Sequence, residues 1–310
     1  MAQFSAKDVA ALRAKTNCGM MDCKKALAEA NGDVEEAIKI LREKGLSVAA
    51  KKADRIAAEG IVDIMLSEDG KTAVMVEVNA ETDFVAKNAT FVEFVQDIEK
   101  TILAHKPADI DALMALPLSG SELTVEAALK DKIYTIGENM NIRRFVIVEG
   151  NMATYIHGKG TTGVIVKMNA DDETAKSPLF AECAKNVALQ LAAMNAQYLD
   201  KADVPASVIE SEKEILSQQI KNDPKSAGKP DAIIEKMVTG RINKFYDNNC
   251  LVCQTYVKDD SLTVGKYVES VSKELGAPLS VHSFYKFEKG EGLEKREDNF
   301  AEEIEKLVKG

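Results

Sequence analysis

The chain contains an internal repeat at an offset of 90 residues, and this repeat constrains the fold more than any other feature. Residues 59–80 and 149–170 share eight identities over 22 aligned positions. In both copies, alternating apolar residues typical of strands flank a turn that contains glycine, and a helical pattern follows. The helices also correspond, because Phe91-Val92-Glu93 aligns with Phe180-Ala181-Glu182 at an offset one residue shorter. The repeat therefore predicts an α+β fold whose core consists of two related subdomains.

The segments beside the two copies complete the predicted core. Arg144–Val148 is an apolar strand pattern that we expect to lead into the second copy as a buried strand. Residues 121–138 are expected to form a helical bridge. The prediction divides the core into an N-terminal subdomain, residues 55–140, and a C-terminal subdomain, residues 141–290.

Residues 1–54 are predicted to form a small module of three helices. The turn dipeptide Asn31-Gly32 ends the second helix, and Asp33 is placed to cap the third. Gly19-Met20-Met21 is expected to be an apolar loop between the first two helices. Two interpretations of this loop stay open, and they are compatible if one methionine points inward and one outward: at least one methionine fills the core, and the loop exposes a soft patch to a partner helix.

After Tyr198 the pattern changes to two amphipathic helices joined by a short loop. Pro205 and Pro230 stand at helix starts, and Asn222-Asp223-Pro224 stops the first helix. This predicts an antiparallel hairpin, inserted at about 204–247, whose arms are roughly 25 Å long and could project as a coiled coil. Residues 291–310 are predicted to end the chain with a helix capped at Asp298.

Composition limits the classes of partner. The net charge is −10 over 310 residues, which argues against sequence-independent binding to nucleic acid, since such binding needs clustered Lys and Arg. No segment resembles a signal core or approaches the ~18 apolar residues of a membrane span. An odd number of cysteines, five, favours a reducing compartment over a disulfide framework. We therefore expect a cytoplasmic protein that contacts neither a membrane nor nucleic acid directly.

Two motifs suggest chemistry, but each has a simpler interpretation. Cys250-Leu251-Val252-Cys253 follows a helix, and Asn248-Asn249 is expected to be a turn. Thiol catalysis would need the pair at a helix N-terminus, and zinc would need further ligands, so ordinary reduced cysteines are favoured. The glycine-rich segment from His157 to Gly163 lacks phosphate-loop spacing, and its counterpart in the repeat is a hairpin turn. We expect a hairpin whose tip has His157 at its edge, on the surface or against a partner.

No triad, nucleotide loop or metal-ligand spacing is evident, so neither an enzyme nor a cofactor site is predicted. The candidate functional segment is instead Thr82-Asp83-Phe84-Val85-Ala86-Lys87-Asn88. The alternative to a functional role is that Phe84 packs in the core on the first turn of a helix. In the second copy this position holds Glu or Thr, which favours an exposed Phe84. An exposed phenylalanine is typical of an anchor that fills a partner's pocket.

Four blocks of the sequence, in this order, resemble one known family. They are Gly19–Leu27, Thr82–Asn88, Ile136–Arg144, and Gly228-Lys229-Pro230 with Ile234–Arg241. The chain resembles the bacterial elongation factors Ts, which are guanine-nucleotide exchange factors of elongation factor Tu, over nearly its whole length. The family motif often ends in Asp where this chain has Asn88, and residues 247–260 are not distinctive.

The resemblance implies a fold, a partner and a set of contacts. It implies a ubiquitin-associated-like N-terminal module, a two-part core, a coiled-coil hairpin and a C-terminal helix that adds a contact. The segment Thr82, Asp83, Phe84 and Val85 would displace magnesium in elongation factor Tu. Arg13, Met20 and Met21 would dock on the partner's nucleotide-binding domain, and His157 on a β-domain.

The function implied is exchange without covalent chemistry, on elongation factor Tu in its GDP-bound and nucleotide-free states. One rival is a non-catalytic adaptor or chaperone, whose binding would not depend on guanine nucleotide. Another is a thiol oxidoreductase at Cys250 and Cys253. One-to-one and two-to-two complexes both remain open, as does the role of the hairpin.

Overall fold

The computed structural model describes residues 4–16, 18–223 and 229–294, and it confirms the α+β class. The helices are α1 (Ala6–Thr16), α2 (Met20–Glu29), α3 (Val34–Lys52), α4 (Asp83–Ala86), α5 (Ala89–His105), α6 (Ile110–Ala115), α7 (Val125–Ile136), α8 (Asp172–Ala175), α9 (Pro178–Ala193), α10 (Ala206–Asn222), α11 (Asp231–Asn249) and α12 (Val264–Leu275). The strands are β1 (Glu59–Leu66), β2 (Thr72–Ala80), β3 (Met140–Glu149), β4 (Met152–His157), β5 (Thr162–Asn169), β6 (Thr255–Tyr256), β7 (Asp259–Thr263) and β8 (Ser280–Glu288).

The two predicted hairpins are present, and each belongs to a three-stranded antiparallel sheet. The strand orders are β1-β2-β3 and β4-β5-β8, so the central strand of each sheet is the second strand of its copy. A short helix and a long helix follow each central strand. The aligned phenylalanines Phe91 and Phe180 are both buried, on α5 and α9. The strand, turn, strand and helix order is thus the same in both copies.

The strand at Arg144–Val148 differs from the prediction in both burial and placement, since only Val148 of this segment is buried. It is part of β3, which pairs with β2 and so belongs to the first sheet rather than introducing the second copy. Every residue of β2 after Thr72 is buried. A strand so buried needs hydrogen-bonding neighbours on both edges, because unpaired backbone groups away from water are costly. The predicted division at residue 140 itself stays a prediction.

The two sheets pack against each other through a shared apolar layer. Val62 and Met75 of the first sheet and Ile165 of the second are fully buried there. Gly163 is required at the closest approach, since a Cβ at this position would lie 2.6 Å from Val62 Cγ1 and 2.8 Å from Met75 Sδ. The hairpin of the second sheet also reaches β1 directly, because the Val62 amide donates to the Gly160 carbonyl at 2.9 Å.

A buried glutamate joins the first sheet to the end of the described chain. Glu77 of β2 accepts hydrogen bonds from Arg143 at 3.0 Å, Arg144 at 2.7 Å, Asn79 at 3.1 Å and the Gly290 amide at 2.8 Å. Burial opposes its ionisation, but these hydrogen bonds hold the pKa of Glu77 below its ordinary value. The cluster fixes the turn after β8 against the first sheet.

The N-terminal helices correct the expectation for the methionine loop. Met20 and Met21 are the first residues of α2, and both are exposed, so neither fills the core. Cys18, Cys23 and Leu27 occupy the buried positions instead. Asp33 caps α3 as expected, by accepting from the Glu36 amide at 2.9 Å.

The long helices α10 and α11 form the predicted hairpin. Leu216 and Ile220 of α10 and Ile234 and Ile242 of α11 are buried. The base is closed by backbone hydrogen bonds, with Tyr198 donating to the Asn249 carbonyl at 3.0 Å and accepting from Leu251 at 2.9 Å. Because α11 continues through Asn249, the prediction of a turn at Asn248-Asn249 is wrong.

Before residue 295, the C-terminal part of the described chain contains α12, β8 and a turn at Gly290. The helix predicted from Asp298 lies outside the described residues. Among the helices that the structure describes, none is long and apolar enough to cross a membrane.

Candidate functional site

Phe84 lies on α4, a one-turn helix between the central strand β2 and the long helix α5. Its side chain is 80% exposed, whereas the next residue, Val85, is 7% exposed and packs in the core of the first sheet. Successive residues on a helix point in different directions, so one turn can present one side chain outward and anchor itself by the next. The predicted exposure of Phe84 is confirmed. The burial of Val85 argues against its side chain as a partner contact and fits a role in holding the turn.

The second copy explains this division of roles. Its corresponding short helix is α8, where Glu173 and Thr174 occupy the positions of Phe84 and Val85. Glu173 is exposed and Thr174 is buried, as in the first copy. The fold therefore needs only the inward residue of this turn. An aromatic at the outward position adds nothing to the core.

Charged and polar groups surround the exposed ring. Lys87 donates to the Asp83 carboxylate at 2.6 Å, and this hydrogen bond lowers the pKa of Asp83. The Lys87 Nζ atom also lies 6.0 Å from the centre of the Phe84 ring. Asn88 accepts from the Thr90 amide at 2.9 Å and caps α5, a role that aspartate would fill equally well. The departure at Asn88 therefore leaves the turn intact.

A recess of about 390 Å³ lies beside Phe84. Its wall includes Thr135 and Ile136, at the C-terminal end of α7. These two residues were not predicted as site residues, although Ile136 begins one of the blocks that carry the family resemblance. An exposed ring next to a recess can both insert into a partner and receive a side chain from it.

The same helix α7 also contacts the N-terminal helices. Tyr134 packs against their core, and a Cβ on Gly45 of α3 would lie 3.5 Å from the Tyr134 Cβ. On this module Met20 is 43% exposed and Met21 is 61% exposed. Arg13, on α1, is exposed as well. The structure therefore connects the predicted contacts of the N-terminal module and the Phe84 turn through α7.

His157 lies on the other sheet, at the end of β4, and is exposed. Its Nδ1 atom is 3.1 Å from the Tyr155 hydroxyl, which orients the ring. The adjoining turn is only partly free, since Gly160 is buried against Ile61 of β1. His157 is thus placed near the junction of the two sheets.

The cysteine motif shows no sign of reactive chemistry. All five cysteines are free. Burial raises the pKa of the Cys250 thiol to about 11 and also raises that of Cys253, which disfavours the thiolate that nucleophilic attack requires. Within the described residues, no three His, Cys, Asp or Glu side chains are arranged to hold a metal ion.

Comparison with known proteins identifies the family. A family model described as Elongation factor TS matches residues 81–291. Elongation factor Ts of Syntrophotalea carbinolica is 49% identical over 313 residues, which cover 99% of this chain and 100% of the relative. That of Clostridium kluyveri is 49% identical over 99% of both chains, and that of Clostridium novyi is 47% identical over 98% of both. The chain belongs to the elongation factor Ts family.

Elongation factors Ts promote nucleotide exchange on elongation factor Tu during translation, and they do so without covalent chemistry. The matched region begins at the residue before Thr82, so it contains the Phe84 turn, β3, the second sheet and the hairpin, whereas β1 and β2 precede it. The relatives extend the similarity to the N-terminal helices, since their alignments cover nearly the whole chain.

Proposed function

We propose that this chain binds elongation factor Tu carrying GDP and promotes GDP release by inserting Phe84 into the partner. The observation that carries the proposal is a phenylalanine that is 80% exposed on a turn held by a buried neighbour. Burying a side chain of this size stabilises a complex by roughly 1.5–3 kcal/mol. The ring can therefore anchor the complex.

Anchoring alone does not release a nucleotide. A bound factor shifts a partner toward another conformation only by its difference in affinity for the two conformations. Phe84 would promote release if its pocket forms better when the magnesium and phosphate site is displaced. Magnesium neutralises phosphate oxygens in such sites, so its displacement weakens GDP binding. Asp83, next to Phe84 at the start of α4, is an ionised carboxylate that would stabilise the displaced state. Thr82 and Val85 hold the turn.

The remaining contacts would align the two proteins. We infer that the helices within residues 1–54 act as a ubiquitin-associated-like module, and that their exposed residues Arg13, Met20 and Met21 dock on the nucleotide-binding domain. His157 would contact a β-domain. The α10–α11 hairpin would serve as a coiled-coil arm, either against the partner or between copies in a two-to-two complex.

Linkage gives the proposal a direct test. A factor that weakens GDP binding must itself bind more weakly when GDP is present. The experiment measures release of fluorescent GDP from elongation factor Tu by stopped flow, with and without this chain. The intact chain should accelerate release, and Phe84→Ala should lower the maximal rate by about tenfold or more, because the burial energy of the ring would be gained mainly in the displaced state.

Val257→Ala is the matched control, because Val257 is also an exposed apolar residue, 48% exposed, between β6 and β7. It should retain the rate of the intact chain. Unchanged acceleration by Phe84→Ala would rule out the insertion. Binding without any acceleration, and with equal affinity at all GDP concentrations, would instead support an adaptor.

A further inference from the structure

Thr82, the residue before the Phe84 turn, is bound by a glutamate from a distant part of the chain. Its amide donates to Glu138 Oε2 at 2.9 Å and its hydroxyl donates to Glu138 Oε1 at 2.7 Å. Glu138 is half-buried and lies two residues after the end of α7, behind its capping residue Gly137. Both carboxylate oxygens are therefore used to hold the start of the turn that carries Phe84.

The neighbouring residues extend this contact to the N-terminal helices. The Asn139 amide donates to Glu81 Oε1 at 2.6 Å, and the Asn139 side chain donates to the carbonyls of Ala53 at 3.2 Å and Arg55 at 2.8 Å. Ala53 and Arg55 follow α3. We name the set Glu81, Thr82, Glu138 and Asn139 the polar clasp. It joins the Phe84 turn, the end of α7 and the exit from the N-terminal helices.

The second copy shows that such a turn does not need a clasp to form. In α8 the equivalent of Thr82 is Asp171, which caps its own helix by accepting from the Thr174 amide at 2.7 Å. Thr82 makes no side-chain capping bond to α4, since its hydroxyl donates to Glu138 instead. Only the copy that carries the exposed phenylalanine has exchanged a local cap for a long-range contact.

We propose that Glu138 is a positioning residue for nucleotide exchange, which sets the place of Phe84 relative to the docking surface of the N-terminal helices. This inference rests on the proposed function. Docking and insertion must occur together on one partner, so the distance between the two surfaces has to be held. Hydrogen bonds to an ionised carboxylate are among the stronger ones available to hold it.

The test measures the release of fluorescent GDP from elongation factor Tu at increasing concentrations of this chain, always in excess over elongation factor Tu. It yields two constants, the maximal release rate and the half-saturating concentration of this chain. Glu138→Ala should lower the maximal release rate by about tenfold, the scale expected for losing hydrogen bonds to a charged group. The half-saturating concentration should change less than about twofold, because the docking surfaces are intact. Simple loss of folded protein would do the opposite, raising the half-saturating concentration and leaving the maximal rate unchanged.

Three companion variants sharpen the result. Glu122→Ala removes an exposed glutamate that precedes α7 and should behave as the intact chain. Glu138→Gln keeps one acceptor oxygen and should recover part of the rate. Glu138→Ala combined with Phe84→Ala should be no slower than Phe84→Ala alone, because the clasp acts through that ring.

An unchanged maximal rate in Glu138→Ala, or effects that multiply in the double variant, would overturn the clasp while leaving exchange by Phe84 intact. Failure of the intact chain to accelerate release would refute the proposed function itself. Hydrogen exchange of the Thr82 amide then decides the structural part separately: its protection should fall in Glu138→Ala and persist in Glu122→Ala.

Discussion

Glu99→Gln should change how the stability of this protein depends on pH. Glu99 lies on α5 and is 1% exposed, and its Oε1 atom has no hydrogen-bond partner in the described part of the chain. Burial, with a smaller effect of the Asp63 carboxylate on β1, raises the pKa of Glu99 from 4.5 to about 9, and the charge of Lys100 acts in the opposite direction. The folded protein thus keeps this side chain protonated at neutral pH.

The magnitude follows from the two pKa values. Between pH 4.5 and about 9 the folded state holds a proton that the unfolded chain has released, so stability falls as pH rises. Each pH unit costs about 1.4 kcal/mol, which amounts to about 4 kcal/mol by pH 7.5. Glutamine has the same shape and no proton to lose, so this loss disappears. Any cost of burying its amide is the same at every pH.

The assay is equilibrium unfolding by urea at several pH values from about 5 to 8, followed by circular dichroism. The free energy of unfolding of Glu99→Gln minus that of the parent should rise by about 1.4 kcal/mol per pH unit. Glu93→Gln is the control, because Glu93 is an exposed carboxylate on the same helix. A difference for Glu99→Gln that stays constant with pH would refute the argument that this carboxyl is buried in its neutral form.

Three further outcomes are expected. Gly163→Ala should destabilise the protein by roughly 1–3 kcal/mol in thermal unfolding, because its Cβ would collide with Val62 and Met75 between the sheets; an unchanged melting temperature would contradict that packing. Glu77→Ala should cost about 3–5 kcal/mol in urea unfolding, since two arginines lose their buried partner; a loss below ~1 kcal/mol would contradict its role as a buried centre of charge. Cys253→Ser should accelerate GDP release as the intact chain does in the stopped-flow assay. If the mechanism depended on this thiol, the variant would no longer accelerate release.

Local patterns explain which parts of the fold could be predicted. The hairpin turns, the Asp33 cap and the helices α10 and α11 follow from residues adjacent in sequence, and the structure places them accordingly. The repeat allowed one inference about exposure, because Glu173 occupies in the second copy the position of Phe84 in the first. This inference compares equivalent positions of the two copies within one chain, so it needs no second sequence.

The errors occur where distant segments decide the outcome. Arg144–Val148 has the same apolar pattern whichever sheet it joins, and only pairing with β2 places it in the first. The sequence left open whether a methionine at 20 or 21 fills the core. Cys23 and Leu27 already fill the core of that module, so both methionines are exposed. Apolar character alone does not determine which residues are buried when more are available than the core can hold.

The sequence by itself determined the repeat, the α+β class, the family resemblance and the candidate Phe84, because these depend on residue identity and local spacing. Only the tertiary structure showed that Phe84 is 80% exposed and lies beside Thr135 and Ile136. It also showed that Glu138 holds the turn of Phe84 from 56 residues away. Contacts across such separations leave no periodic pattern in a single sequence, since hydrogen bonds and packing are decided where the folded chain brings the groups together.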